Sequence, residues 1–330
     1  MAAEIESMCF VGETPWHGFG NRIDEACDSP EAQIKSGLTW DVEKRPLLVP
    51  VAGVNQYREV ADHVAIVRKM DERVLGVVGS GWQELQPWEM FDWTDSLVGE
   101  GLIKYHTAGS LRGGKKVWLL AKFDESVILP GDRVGKFLFF LNGYDGAQSI
   151  VINSTAIRVV CMNTARMALA DGRANEVRIR HTASMKERME AARSALVVAR
   201  EHGKLYDGLL RAFAQLRMTG DRWQEYAKTL IPDNLEAKHN TRAENARQKL
   251  LNLAVTGRGQ DIPGVAGTGY AAYNAATEYV NYLRPSRGGD EAQERRFEST
   301  LMGSGDEFVQ SAVVQLDTYL KQDGIVVQAA

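Results

Sequence analysis

Apolar positions in the first half of the chain come in short β-branched runs, whereas those in the second half recur every three or four residues. VAIVRK (64–69) and RVLGVVG (73–79) are strand-like and are separated by Asp71-Glu72, a hairpin pattern. LIKYHTAG (102–109) and KKVWLLAKF (115–123) flank Gly113-Gly114 and predict a second hairpin. KFLFFLN (136–142) and SIVINSTAIRVVC (149–161) flank the turn residues 142–146 and predict a third. Two helices interrupt these strands. One spans Ser29–Ser36, with Ser29-Pro30-Glu31 as its capped start; the other opens at Pro87 and closes near Gly99. A short helix is expected around Thr164–Leu169.

The period changes near Arg180. From Ser184 to Met218, apolar residues fall at 185, 189, 192, 196, 199, 206, 210 and 213, which is one helical seam. Helices are predicted at Asp221–Leu230, Thr241–Val255, Tyr270–Leu283, Asp290–Met302 and Asp306–Lys321, each followed by Gly or Pro. No fixed-period repeat is present, which excludes a solenoid. The expected fold is α+β: an antiparallel-rich β-hairpin domain with interposed helices at 1–180, then a helical region at 181–330. The helical faces are too apolar to stand alone. They require packing on the first domain or on another subunit, so a homo-oligomer is expected.

Composition narrows the class. The chain has 330 residues, 44% hydrophobic and 25% charged, values of a globular protein rather than a disordered one. No run approaches ~18 consecutive apolar residues, so no membrane span is expected. The start, MAAEIESMCF, is acidic and lacks a basic segment followed by an apolar run. Cys9, Cys27 and Cys161 are odd in number and widely spaced, as suits a reducing compartment. A cytoplasmic location is the expectation.

Charge carries a local signal only. Lys and Arg number 39 against 43 Asp and Glu, a formal net charge of −4. That balance gives no global mark of nucleic-acid binding. Residues 158–188, however, hold seven basic and three acidic side chains. This segment reads either as solvated charge at a domain junction or as a local basic surface.

The string Gly109-Ser-Leu-Arg-Gly-Gly114-Lys115 matches the G-x4-G-K part of a phosphate-binding loop. Lys116 stands where a metal-binding Ser or Thr belongs, and a strand pattern follows where a helix is needed. A hairpin turn is the better reading. Its tip (Arg112, Lys115, Lys116) is still suited to a phosphate backbone. In Arg158-Val-Val-Cys161-Met-Asn163, no His lies near enough in sequence to activate the thiol, so Cys161 reads as packing. Arg158 could grip a phosphate as a fork. Asn163 is either a functional amide or the cap of the next helix.

Other strings are weaker. Pro15-Trp16-His17-Gly18-Phe19-Gly20 offers Trp16 and His17 for stacking, or an arm tucked on the core. Glu89, Asp92 and Asp95 share a helix face, yet no further ligand sits at metal spacing. No zinc, serine-hydrolase or dinucleotide motif is present. No cofactor, metal or catalytic set is therefore assigned, and the question of enzymatic activity stays open. The glycine-rich stretch 257–269 reads as a flexible lid or linker. The helix after it carries Tyr270, Tyr273, Tyr279 and Tyr282 near one side, an aromatic face suited to packing.

Taken together, PWHGFG, GVVGSGWQELQPWEMFDW, TAGSLRGGKKVWLLAKF and RVVCMNTARMAL resemble the phage/plasmid-related protein family built on a domain of unknown function. GTGYAAYNAATEYVNYLRPSR and ERRFESTLMGSG resemble the same family's C-terminal segment. The resemblance covers essentially the whole chain and transfers no catalytic set. It implies a mobile genetic element acting in a bacterial host cytoplasm. A fold-level analogy to Rad52-like single-strand annealing proteins rests on a β-rich core followed by helices, with no motif matched residue by residue. The resulting expectation is an accessory protein binding single-stranded DNA through Arg112, Lys115, Lys116, Arg158, Arg178 and Arg180. The alternative is a protein-interaction module that inhibits or redirects a host protein.

Overall fold

The computed structural model describes residues 5–11, 21–23, 25–53, 55–98, 104–160, 163–167, 176–236, 239–285, 299–300 and 303–328. Its strands are β1 (Ile5–Val11), β2 (Asn21–Ile23), β3 (Val42–Pro50), β4 (Tyr57–Arg68), β5 (Arg73–Gly79), β6 (Lys104–Leu111), β7 (Lys116–Leu129), β8 (Asp132–Gly143), β9 (Ile150–Arg158), β10 (Asn163–Arg166) and β11 (Glu176–Ile179). Helices α1 (Ser29–Ser36) and α2 (Pro87–Val98) lie among the strands. The helices α3 (Met185–Ala191), α4 (Ala195–Gln215), α5 (Gly220–Leu230), α6 (Thr241–Thr256), α7 (Gly269–Glu278) and α8 (Ser304–Gln322) follow them. The α+β expectation holds, with antiparallel hairpins preceding helices. Among the described residues, no helix is long and apolar enough to cross a membrane.

The main sheet runs β10-β9-β8-β7-β6-β1-β2, with β11 pairing the same edge of β9 as β10 but at the opposite end. Three consecutive hairpins build its centre. Side chains alternate between faces, as the pleat requires. Leu138 and Phe140 pack with α2 and α3, while Val134 on the same face meets the helical half. Phe137, Phe139 and Leu141 face the other way, among Trp118, Leu120 and Phe10.

The helical faces expected to need a cover find it within the chain. α7 is buried along its whole length, and its four alanines let neighbouring helices approach closely. Tyr206, Phe213, Tyr226 and Leu316 surround it, together with Val134 and Ala156 of the main sheet. The seam after Ser184 divides between two cores. Met185 and Met189 join the face of the main sheet that carries α2, and Tyr206, Leu210 and Phe213 join the helical core.

Three local expectations are corrected. The stretch expected to be a helix at Thr164–Leu169 carries β10, because pairing of Thr164 with Ile157 extends the sheet and overrides helix propensity. Asn163 is thus a strand residue in register with Arg158, not a helix cap. The cap of α1 is Asp28, one residue before Ser29, and it accepts a hydrogen bond from Glu31 N at 3.1 Å. The glycine-rich stretch 257–269 is tied down rather than free. Met218 N–H donates to the Gly267 carbonyl, Gly269 N–H to that of Leu216, and the Gln260 amide to that of Ala271.

A second sheet, β3-β4-β5, carries the edge strand that matters most for the surface. β5 crosses the end of the main sheet. Arg73 lies at the β6–β7 turn, Gly76 at Tyr144-Asp145 in the β8–β9 turn, and Val78 beside Gly146 of that same turn. Beyond β5, Gln83 N–H donates to the His181 carbonyl at 3.0 Å, past the end of β11. β5 therefore runs along two turns, and the segment that follows it meets the end of β11.

Candidate functional site

The crossing strand gathers cations that are far apart in sequence. The β6–β7 turn places Arg112, Gly113 and Gly114 successively at positive φ (53°, 65° and 87°). Glycine adopts that region without penalty, whereas Arg112 is strained there by about 1 kcal/mol or more. Both glycines also make room for guanidinium groups. A Cβ at Gly113 would lie 2.5 Å from Arg73 Cζ, and one at Gly114 would lie 2.8 Å from Arg68 Nη1.

These two arginines differ in role. Arg68 is buried and spends itself on two carboxylates, Glu6 at 2.6 Å and Asp71 at 2.5 Å. Its hydrogen bonds hold the Asp71 carboxyl down at about 2. Arg73 is half exposed and 3.7 Å from Glu6, so its fork remains turned partly to solvent. Beside it Lys115 is exposed, Arg112 is half-buried and Lys116 is buried.

Arg180 is exposed at the same end of the main sheet, because Ile179 pairs with Ile150 just past the β8–β9 turn. Four strand positions separate β11 from β6, so the two basic clusters lie about 15–20 Å apart at ~4.8 Å per strand. Next to Arg180, the His181 ring stacks on Trp82 at 4.2 Å and 18°. His181 Nδ1 donates to the Gln83 carbonyl at 2.8 Å, which leaves Nε2 as the unprotonated nitrogen; burial pushes the ring's pKa down. The imidazole is thus a neutral support for a half-exposed indole. Val74 and Val77 of β5 are exposed along the line between the two basic ends.

The sequence-derived candidates do not form one surface. Arg112, Lys115, Lys116 and Arg180 share one end of the main sheet. Arg178 sits opposite Val151 along the edge and pairs with Glu176 at 2.5 Å. Arg158 lies at the far end of β9, about 27 Å away at ~3.4 Å per residue. There it is buried: Nε and Nη2 grip Asp132, Nη1 donates to the Arg258 carbonyl, and Nη2 also donates to that of Gly259. Its guanidinium stands 5.3 Å from the Tyr270 ring centroid. Arg158 thus clasps the glycine-rich stretch to the sheet. A small cavity of about 10 Å³, room for one water, adjoins it between Tyr206, Tyr270 and Tyr273. Trp16, His17 and Cys161 lie outside the described residues, and of Asn163 only the backbone is described.

Arg73 and Trp82 were absent from the sequence-derived set. Trp82 stands inside the string GSGWQEL and is legible as an aromatic, but nothing local marks it as exposed. Arg73 gains its place only when β5 crosses the turns. The carboxylates of α2 are used separately: Glu89 accepts from Gln86 N at 2.8 Å and Asp95 from the Tyr105 hydroxyl at 2.7 Å. Among the described residues, no cluster of His, Cys, Asp or Glu could hold a metal ion.

The fold and this surface define an α+β protein with a cationic, aromatic-bearing sheet end. The chain belongs to the family described as a domain of unknown function, DUF932, whose model matches residues 74–301. No curated protein and no solved structure matches it.

Proposed function

We propose that this is an accessory protein of a phage or plasmid that binds single-stranded DNA along β5, at the end of the main sheet. The reading rests on one observation: β5 and the residues that follow it run from Arg73, Arg112 and Lys115 at one end to Trp82 and Arg180 at the other. Guanidinium forks and a lysine suit phosphates about 6–7 Å apart in an extended strand. The indole offers a face to any base, and Val74 and Val77 tolerate bases without reading them. Binding would be independent of sequence.

The test is fluorescence anisotropy with a labelled single-stranded oligonucleotide against a duplex of equal length. With about four phosphate contacts, affinity falls about a hundredfold between roughly 50 and 300 mM salt, at −0.7 per contact. Replacing Arg73, Arg112 and Lys115 together with Ala removes about two units of that salt slope and leaves the circular dichroism spectrum unchanged. Absence of binding at low salt overturns the reading. The second reading, a protein-interaction module directed at a host factor, is favoured by the exposed apolar ribbon formed by β3 and β4.

A further inference from the structure

A buried lysine joins the main sheet to the helical half. Lys136 stands on β8 between Val134, which packs in the helical core, and Leu138, which packs with α2 and α3. Its stem runs beneath α4, so close that a Cβ at Gly203 would lie 2.9 Å from Lys136 Cδ. One turn further along α4, Asp207 meets the end of the stem, and Nζ donates to Asp207 Oδ2 at 2.5 Å. The two side chains are 1% and 4% exposed. Nζ also donates to Ser126 Oγ at 2.8 Å and to Asp124 Oδ2 at 3.0 Å, both on β7. Ser126 Oγ donates in turn to Asp207 Oδ2 at 2.6 Å.

Two features set this cluster apart from an ordinary ion pair. Asp207 Oδ2 accepts from both Nζ and Ser126, while Oδ1 of the same carboxylate is buried and, among the described residues, has no hydrogen-bond partner. An unsatisfied oxygen is costlier on a charged group than on a neutral one. The donors of Nζ are also aimed in a particular way. One points straight at Oδ2, a second reaches Oδ2 through the Ser126 hydroxyl, and the third points at Asp124. Nucleophile, electrophile, proton relay and a balancing carboxylate thus stand within hydrogen-bond reach of one another. Asp124 is half exposed, whereas the lysine and its partner are shut away from solvent.

We propose that Lys136 and Asp207 condense into an internal amide that staples β8 to α4. One ammonium proton passes directly to Oδ2. The freed Nζ lone pair attacks Cγ and forms the new N–C bond. Cγ is one bond beyond the Nζ–Oδ2 contact, close to the ~3–3.5 Å at which reacting atoms are poised. A second N–H proton moves to Ser126 Oγ as the Ser126 proton moves to Oδ2. The Cγ–Oδ2 bond then breaks, its electron pair stays with Oδ2, and that oxygen leaves as water. The third N–H remains as the amide N–H, facing Asp124, whose carboxylate offsets the positive charge on nitrogen during the attack. Oδ1 becomes the amide carbonyl. The balance is one water released, with nothing oxidised or reduced. Groups held side by side react as though at about 10⁵–10⁸ M, which is what an ammonium and a carboxylate need in order to condense. The product carries neither buried charge and so loses their desolvation cost. The inference stands whether or not DNA is bound.

The test is the mass of the full chain by intact mass spectrometry, followed by a peptide map of its protease digest. The folded chain is expected to weigh less than its sequence requires by one water, and the loss maps to a branched peptide joining Lys136 to Asp207. Lys136→Arg keeps a cation opposite Asp207 but forms no such bond, so it has the full sequence mass. Ser126→Ala keeps both reacting groups and removes the relay, so it closes about a hundredfold more slowly and freshly purified protein retains open chain. Where a variant fails to fold, the mass and map of the unaltered chain decide alone. An unaltered chain of full sequence mass, a water loss that maps to any other position, or a folded Ser126→Ala chain that closes as fast as the unaltered one overturns the inference.

Discussion

Arg158 on β9 holds Asp132 at the start of β8 through Nε at 3.0 Å and Nη2 at 2.6 Å, with both side chains almost wholly withdrawn from solvent. Two backbone carbonyls from the glycine-rich stretch also accept from the arginine. A buried ion pair of this kind contributes little net stability, yet breaking it from one side strands a charge. Asp132→Ala is expected to cost about 3–5 kcal/mol in urea unfolding. The double variant Asp132→Leu with Arg158→Met is expected to cost less than the single one. A single variant of near wild-type stability would show that the clasp is not closed.

His106 gives a pH dependence with a definite sign. Burial pushes its pKa from 6.5 down to about 4, and the Lys122 ammonium adds to the shift. Between those values the unfolded chain takes up the proton more readily than the folded one. Stability therefore falls as pH drops from about 6.5 to about 4 and gains no further loss from this group below that. His106→Gln should flatten the window. An imidazole proton resonance titrating near 6.5 would refute the assignment.

Gly76 is expected to tolerate no side chain. A Cβ there meets the Tyr144 carbonyl and the Asp145 backbone, where β5 crosses the β8–β9 turn. Gly76→Ala should cost about 1–3 kcal/mol as overpacking, read as a lower urea midpoint with unchanged slope. Gly53→Ala, at a positive φ but in open space, separates backbone strain from crowding.

Trp82 separates stacking from charge. Trp82→Ala should weaken single-stranded DNA binding by about 1–3 kcal/mol and leave the salt slope unchanged. A changed slope with an unchanged low-salt affinity would assign the indole to structure, as a lid on His181, rather than to binding.

Local signals found most elements. Gly113-Gly114, Asp71-Glu72 and the turn at 142–146 marked real hairpins, because turn chemistry acts over a few residues. The longest hairpin, β7–β8, turns on Pro130-Gly131, with Gly131 at φ 86°, an equally legible pair absent from those named by pattern. Of the four tyrosines assigned to a packed face, those at 270, 273 and 279 are buried, whereas Tyr282 is half-buried. The surface was less legible. Arg112 and Lys115 stood out as a basic turn, but their partner Arg73 lies about forty residues earlier in an ordinary strand. Arg158 looked like an available cation because Asp132, which neutralises it, sits on the neighbouring strand and not beside it in sequence.

The path of residues 73–83 across the end of the main sheet has a consequence for how the chain matures. Arg73, the turn at 112–115, the turn at 144–146 and the 180–181 segment are separated by tens of residues, and long-range pairings of this kind form late. A nascent or partly folded chain thus carries the same arginines and lysines without the array. Whatever the sheet end recognises, it can recognise only once the molecule is finished, so recognition itself reports that folding is complete.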